Sequence, residues 1–206
     1  MSFIPLLALF VSILSLTVSA TILYRDRKII TVDFNKSAKP IPDNHLIGST
    51  ENPNDKPIFF DQSIYVALEC INPSKHDIAF FHLEAHDNNG EQLNILTKNS
   101  SLSSKEEMKY RVVTPVKMFN VSLPKTNYGN LKSNSYTKLD LFIRVDSHLE
   151  SPITVSLKTA NSFKNKKWQS HGCIYDLPNL DEIMLSTAEL SKPLLEAMLI
   201  NLENHQ

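Results

Sequence analysis

The N-terminal segment of the chain places the strongest constraint on what it can form. The first 24 residues carry no charged side chain, and residues 3–24 are mostly Leu, Ile, Val, Ala, Phe and Ser. A helix of that length spans roughly 33 Å, enough to cross the roughly 30 Å hydrocarbon core of a bilayer. A core helix of a soluble domain normally has a polar face, which this segment lacks. We therefore predict a transmembrane anchor or signal segment over residues 1–27.

Two features of this segment favour different topologies. The run Val18-Ser-Ala20 fits a small-x-small cleavage site, which indicates export with removal after Ala20. However, a basic region is missing before the apolar run, and the positive side chains Arg25, Arg27 and Lys28 follow it instead. By the positive-inside rule they orient the rest of the chain toward the cytoplasm. We predict a single-pass protein of the cell membrane with a cytoplasmic C-terminal domain, with a secreted or extracytoplasmic protein as the alternative.

Charge and glycine content exclude several classes of function. The chain of 206 residues has 21 basic and 22 acidic side chains, a net charge of −1, so no overall basic field attracts nucleic acid. Its 4 glycines form no GxGxxG, no GxxxxGK[ST] and no GxSxG motif. Dinucleotide sites, phosphate-binding loops and the nucleophile elbow of α/β-hydrolases are therefore not indicated.

Residues 28–170 have the alternating pattern of strands separated by turns. Residues 58–71 predict one half-buried strand, and residues 138–145 alternate in the same way. In residues 77–87 the alternation puts Ala79, Phe81, Leu83 and Ala85 on one face. The run Asn88-Asn-Gly90 is typical of a hairpin turn. About seven strands with no helices between them predict a mainly β protein with an antiparallel, immunoglobulin-like β-sandwich.

The apolar spacing becomes helical after Pro178, so residues 171–206 are predicted to be a C-terminal helical segment. Ser191 fits an N-cap and Pro193 fits the first turn of a second helix, which indicates a helical hairpin or a kinked helix. Residues 170–175 are interpreted as a loop that closes the sandwich onto these helices.

Three groups of side chains are candidates for chemistry or binding. His82, Glu84 and His86 share a strand face and are possible metal ligands. However, residues four positions apart on a strand, such as His82 and His86, lie about 13 Å apart, which is too far to share one ion. Cys70 and Cys173 are a possible disulfide or two free thiols, and His171 lies close to Cys173 in sequence. The basic and aromatic cluster Lys164, Lys166, Lys167 and Trp168 is a possible surface contact for anionic lipid or nucleic acid.

The order of parts resembles a broad group of small uncharacterised bacterial single-pass membrane proteins. The matching stretches are Ile22-Leu-Tyr-Arg-Asp-Arg-Lys28, then Cys70-Ile-Asn-Pro-Ser-Lys-His-Asp-Ile78, which leads to Asp87-Asn-Asn-Gly90. The resemblance covers roughly the first half of the chain. It implies an N-terminal helix that runs directly into a β-sandwich, and it implies no activity or catalytic residue.

These observations predict a membrane-tethered, non-enzymatic β-sandwich that binds a protein partner, with no catalytic residue, cofactor or metal assigned. One alternative is an exported β-sandwich of the envelope or the exterior. The other is a metal-dependent or thiol hydrolase that uses His82, Glu84 and His86, or His171 and Cys173. Sequence patterns of fold class do not decide between these functions.

Overall fold

The computed structural model describes residues 4–25, 30–50, 56–100, 108–145, 149, 151–160, 167–177 and 179–203. The apolar N-terminal segment forms helix α1 (Ile4–Arg25), and the C-terminal segment forms helix α2 (Leu180–Glu203). The predicted N-terminal apolar helix is thereby confirmed. Its stretch Pro5–Ile22 has a mean hydropathy of 2.1, is long enough to cross a membrane, and is not buried against the rest of the protein.

The described residues between the helices form short antiparallel strands. They are β1 (Thr31–Phe34), β2 (Lys39–Ile41), β3 (Leu46–Ser49), β4 (Ile58–Phe59), β5 (Ser63–Asn72), β6 (Ile78–His86), β7 (Gln92–Leu93), β8 (Lys109–Val113), β9 (Met118–Val121), β10 (Gly129–Leu131), β11 (Ser135–Arg144), β12 (Ile153–Ala160) and β13 (Trp168–Tyr175). The prediction of a mainly β protein with antiparallel sheets and a C-terminal helix is confirmed.

Three sheets make up the β body. The central sheet has the order β1-β5-β11, with β2 also paired to β5. The front sheet has the order β10-β6-β12-β13, with β7 paired to β6, and the back sheet has the order β4-β3-β8-β9. The front and central sheets form the predicted sandwich, and the back sheet covers the other face of the central sheet.

Strand β5 is buried on both faces because it lies between two cores. Ile64, Val66, Leu68 and Cys70 face the core shared with the front sheet, whereas Tyr65 and Ala67 face the core shared with the back sheet. The prediction that residues 58–71 form one half-buried strand is therefore wrong. Residues 58–59 belong to the back sheet as β4, and only β5 enters the central sheet.

Strand β6 does not keep a single alternation. His82 has a φ of 50°, and the pairing with β12 shifts so that Ser156 faces Glu84 while Lys158 faces Phe81. Such a bulge inserts one extra residue and reverses the alternation beyond it. Ile78 and Phe80 are buried before the bulge, and Leu83 and Ala85 are buried after it. The predicted face of Ala79, Phe81, Leu83 and Ala85 is wrong for this reason.

The C-terminal segment differs from the sequence interpretation in two ways. Residues predicted as a closing loop form β13, which pairs with β12 along its whole length and passes residue 170 to end at Tyr175. Helix α2 continues without a second N-terminus through Pro193. Ser191 is wholly buried within the helix rather than capping it. The helix contacts β2 and β8, and Met184 packs into the core of the sandwich.

The strand register defines two ends of the body. In the central sheet, Thr31 pairs with Ile71, which also pairs with Tyr136. In the front sheet, Ala160 pairs with Trp168, and its neighbour Thr159 pairs with Phe80. All of these residues therefore lie at the end where β1 begins, which we call the proximal end. The distal end holds the β6–β7 turn, the end of β11 and the end of β13. Since only five residues separate α1 from Thr31, α1 enters the body at the proximal end.

Candidate functional site

A cleft of about 630 Å³ opens at the distal end of the body, between the front and central sheets. Its floor is apolar at Leu93 and Leu149, which are partly exposed, and at Leu83 and Ile95, which are buried. Its rim is polar and is formed by side chains of Asp87, Glu91, Gln92, Asn94, Asn127 and Arg144. An apolar floor with a few convergent polar groups is the usual composition of a ligand site.

The acidic side of the rim is built by the β6–β7 turn. The Asp87 carboxylate accepts hydrogen bonds from the backbone N–H groups of Asn89 (2.9 Å) and Glu91 (2.8 Å). Gly90 has a φ of 82°, a backbone conformation that favours glycine. The Asp87 N–H also donates to the Glu91 carbonyl at 3.0 Å. The turn predicted at Asn88-Asn-Gly90 is thus confirmed, and its hydrogen bonds hold Asp87 and Glu91 at the cleft.

The opposite side of the rim is held by segments that are distant in sequence. Arg144, at the end of β11, donates from its backbone N–H to the Asn94 carbonyl at 2.9 Å. Its guanidinium group donates to the Asp61 carboxylate, and about half of its side chain is exposed. After the bulge at His82, the backbone N–H of Leu83 donates a hydrogen bond to the Asn127 carbonyl at 3.1 Å. These bonds bring Asn94, Asn127 and Arg144 to one opening.

The rim carries charge of both signs around an apolar floor. Carboxylates accept hydrogen bonds from cationic and amide N–H groups, whereas a guanidinium group donates to carboxylate or carbonyl oxygens. Side-chain amides of asparagine and glutamine both donate and accept. Among the described residues that line this cleft there is no Ser, Thr, Cys, His or Lys side chain that could act as a nucleophile. The arrangement is suited to binding a ligand with an apolar group and several hydrogen-bonding groups.

A smaller cavity of about 160 Å³ lies on the other side of Arg144. It is lined in part by Phe60, Asp61, Ser63 and Phe142. Ser63 is buried, and its hydroxyl has no hydrogen-bond partner within the described protein. Arg144 therefore separates two recesses of the distal end, and its ion pair with Asp61 holds it in this position.

The predicted metal candidates lie on β6, away from this cleft. The bulge brings the His82 Nδ1 atom to 2.7 Å from the Glu84 Oε1 atom, and both side chains are partly exposed. In the part of the chain that the structure describes, no three His, Cys, Asp or Glu side chains are grouped closely enough to hold a metal ion. His82 and Glu84 are therefore joined by a hydrogen bond at the surface, and His86 is not joined to them.

The two cysteines are free thiols in this structure. Cys70 is buried in the core between the front and central sheets, and burial raises its thiol pKa to about 11. Cys173 is partly exposed on β13, and its thiol lies 3.7 Å from the Ile174 carbonyl. The His171 Nε2 atom lies 3.0 Å from the Thr159 hydroxyl, and burial lowers the pKa of His171. The Cys173 thiol and the His171 imidazole therefore contact different groups and not each other.

Of the remaining predicted residues, the structure describes Arg25, Lys167 and Trp168. Arg25 is the last residue of α1, whereas Arg27 and Lys28 lie outside the described residues. Lys164 and Lys166 also lie outside them. Lys167 precedes β13, and Trp168 begins it. The Trp168 ring packs edge-on against Phe81, with ring centroids 6.4 Å apart.

Sequence reasoning missed the distal cleft. Its residues come from four separate segments between positions 83 and 149, and none of them forms a motif. The hairpin signal at Asn88-Asn-Gly90 located the acidic turn, but it held no information about Arg144 or Asn127. Only the pairing of strands and the β6 bulge bring these groups together.

Comparisons with known proteins add little to this description. No family model matches the chain, and no curated protein matches it. One solved structure aligns with it, that of a candidate lipoprotein, YcdA, from Bacillus subtilis subsp. subtilis strain 168. The identity is 12%, the TM-score is 0.36, and the alignment covers 80% of this chain but only 41% of that one. At this TM-score the likeness carries no argument. The apolar helix and the antiparallel sheets fit a membrane-associated or exported β-rich protein.

Proposed function

We propose that the protein is a membrane-tethered, non-enzymatic binding protein that takes its ligand in the distal cleft. The observation that carries this proposal is the distal cleft itself, with its apolar floor and its rim of both charge signs. Helix α1 is apolar along Pro5–Ile22 and unburied, which supports its use as the membrane anchor. Because α1 joins the body at the proximal end, the cleft opens at the end away from the anchor.

The chemistry of the rim favours a peptide segment as the ligand. A peptide has backbone N–H and carbonyl groups for the Asn94 and Asn127 amides, and it has an apolar side chain for the floor at Leu93 and Leu149. A ligand carboxylate fits the Arg144 guanidinium, and a ligand ammonium fits Asp87 and Glu91. A partner protein that presents a loop or a chain terminus has all of these groups.

Site-specific photo-crosslinking in cells tests the cleft. A benzophenone amino acid replaces Asn94 in the cleft, or Lys117 in the β8–β9 turn as a matched control, and adducts are identified by mass spectrometry. We expect one adduct from position 94 that is absent at position 117. The same adduct is lost when Arg144→Gln and Asn127→Ala are added. Equal adducts at both positions, or an adduct unchanged by these substitutions, would contradict the proposal.

The orientation of the body is tested separately, because the exported alternative predicts the same fold. A membrane-impermeant maleimide is added to intact cells, and the N-terminus of the recovered protein is read by mass spectrometry. Since Cys70 is buried and Cys173 is partly exposed, labelling reports on Cys173. A cytoplasmic body predicts an intact N-terminus and labelling only after lysis. Labelling of intact cells, or a new N-terminus at Thr21, would instead support the exported protein.

A further inference from the structure

The proximal end of the body has a surface chemistry that the cleft does not use. Its connections and strand ends carry the described lysines Lys75, Lys132, Lys158 and Lys167. Lys132 pairs with Asp77 at 3.1 Å, and Glu69 lies opposite Lys138, two residue pairs further into the sheet than Ile71 and Tyr136. In the sequence, Lys164 and Lys166 lie between β12 and β13, outside the described residues.

Three large side chains at the same end are exposed. Ile71 is 47% exposed and lies in a row between Thr31 and Tyr136, and Tyr136 is 57% exposed. Trp168 is 47% exposed at the start of β13. Trp and Tyr are enriched where one side of a ring meets an apolar phase and the other meets water, as at membrane interfaces.

The distal end has the opposite charge. Its turns carry the carboxylates Asp61, Asp87, Glu91 and Asp176, and Arg144 is paired with Asp61. The body is therefore unevenly charged along its strands: the proximal end holds these lysines together with Asp77, Glu69 and its register partner Asp33, and the distal end holds these carboxylates together with Arg144. A net charge of −1 hides this polarity in the composition.

The chain connection brings the lysine-rich end close to the membrane. Six residue steps from Arg25 to Thr31 span at most about 20 Å when fully extended. With α1 in a bilayer, the start of β1 stays within that distance of the headgroup layer. Electrostatic attraction to a charged surface falls off over about 8 Å at physiological salt, so only the end that the linker holds nearest the headgroups can come within its range.

We propose that the proximal end of the body docks on an anionic lipid surface, with Lys75, Lys132, Lys158 and Lys167 at the headgroups and Ile71, Tyr136 and Trp168 at the interface. Charge complementarity and continuity with the α1 anchor select this occupant. Docking fixes the body upright, so that the distal cleft points into bulk solvent. The inference rests on the membrane attachment in the proposed function, but it does not depend on what the cleft binds.

The single tryptophan of the chain makes this docking measurable without a label, because Trp168 lies on the proposed surface. The full-length protein is reconstituted in vesicles of phosphatidylcholine alone or mixed with phosphatidylglycerol, and emission wavelength and acrylamide quenching are recorded. In the anionic vesicles we expect a blue shift and weaker quenching, both reversed in about 1 M NaCl, where the screening length falls to roughly 3 Å. Identical spectra and quenching in the two lipid mixtures would overturn the inference.

Matched variants identify the surface. Lys158→Gln with Lys167→Gln removes two charges at the proximal end, and Lys36→Gln with Lys192→Gln removes two exposed charges elsewhere. Each lysine at the surface changes the ratio of docked to undocked body about five-fold, so the Lys158/Lys167 variant should lower this ratio about 25-fold. The Lys36/Lys192 variant should leave it unchanged. Each variant is compared with itself in phosphatidylcholine, since Lys167 adjoins the reporter. Equal loss in both pairs would contradict docking by this end. Flotation with neutral vesicles tests the anchor separately.

Discussion

The Tyr65 hydroxyl donates a hydrogen bond of 2.8 Å to the Oδ1 atom of Asp140, between the central and back sheets. Asp140 is 4% exposed, and its other oxygen accepts from the Ser122 N–H at 2.9 Å. The Lys138 ammonium group lies 2.9 Å from Oδ1, and this contact raises the pKa of Lys138. A buried carboxylate is tolerated here because each oxygen has a partner, and it ties adjacent strands β5 and β11 to the segment after β9.

Substituting Tyr65→Phe removes one donor from this buried carboxylate. We expect the free energy of unfolding to fall by about 1 to 3 kcal/mol, because a hydrogen bond to a charged group is lost without replacement. Urea denaturation of the full chain in detergent measures the change. Tyr136→Phe, at an exposed position of β11, is the control and should change it little. Equal effects of the two substitutions would mean that the Tyr65–Asp140 bond does not stabilise the fold.

Stability should fall at alkaline pH. Burial raises the pKa of Cys70 from 9.0 to about 11, and burial with the bond to Asp140 raises the pKa of Tyr65 from 10.0 to about 12. Both groups lose a proton more readily when unfolded, so their contribution is complete below pH 9 and is lost as the pH rises to about 12. Cys70→Ala should flatten the part of this loss between pH 9 and 11. Denaturation at several pH values that shows no loss above pH 9 would contradict both assignments.

Burial of the central sheet on two faces predicts the effect of Phe142→Ala. Phe142 is wholly buried against the back sheet, with its ring centroid 5.2 Å from that of Tyr65. We expect a loss of about 3 to 5 kcal/mol in the free energy of unfolding, similar to Leu141→Ala on the opposite face. In a sandwich of only two sheets, Phe142 would face solvent. A small effect of Phe142→Ala beside a large effect of Leu141→Ala would therefore contradict the third layer.

The bulge on β6 predicts opposite effects of glycine at two histidines. His82 has a φ of 50°, which costs a non-glycine residue about 1 kcal/mol, so His82→Gly should be neutral or slightly stabilising despite loss of the Glu84 contact. His86 lies in regular strand, where glycine should destabilise by about 1 kcal/mol. Thermal unfolding of both variants provides the comparison. A larger loss at His82 than at His86 would contradict the bulge geometry.

The apolar helix, the antiparallel strands and the tight turn at Asn88-Asn-Gly90 follow from sequence patterns alone. Each depends on interactions between residues a few positions apart, and periodicity records those directly. The core face of β11, with Leu139, Leu141 and Ile143, was also predicted correctly, but its half-buried character was not, because Asp140 and Phe142 on the other face are buried as well. The immunoglobulin-like character of the sandwich and the resemblance to bacterial single-pass proteins stay predictions.

Tertiary structure decided the third sheet, the bulge at His82, the continuous helix through Pro193 and the distal cleft. Whether a strand is buried on one face or on two depends on what packs against its second face. For β5 this packing comes from residues 109–121, which lie far from it in sequence. Likewise, a bulge depends on the partner strand β12. The sequence by itself determined which segments are apolar and how each is spaced. Pairing between distant segments determined which side chains meet, because those contacts leave no local pattern.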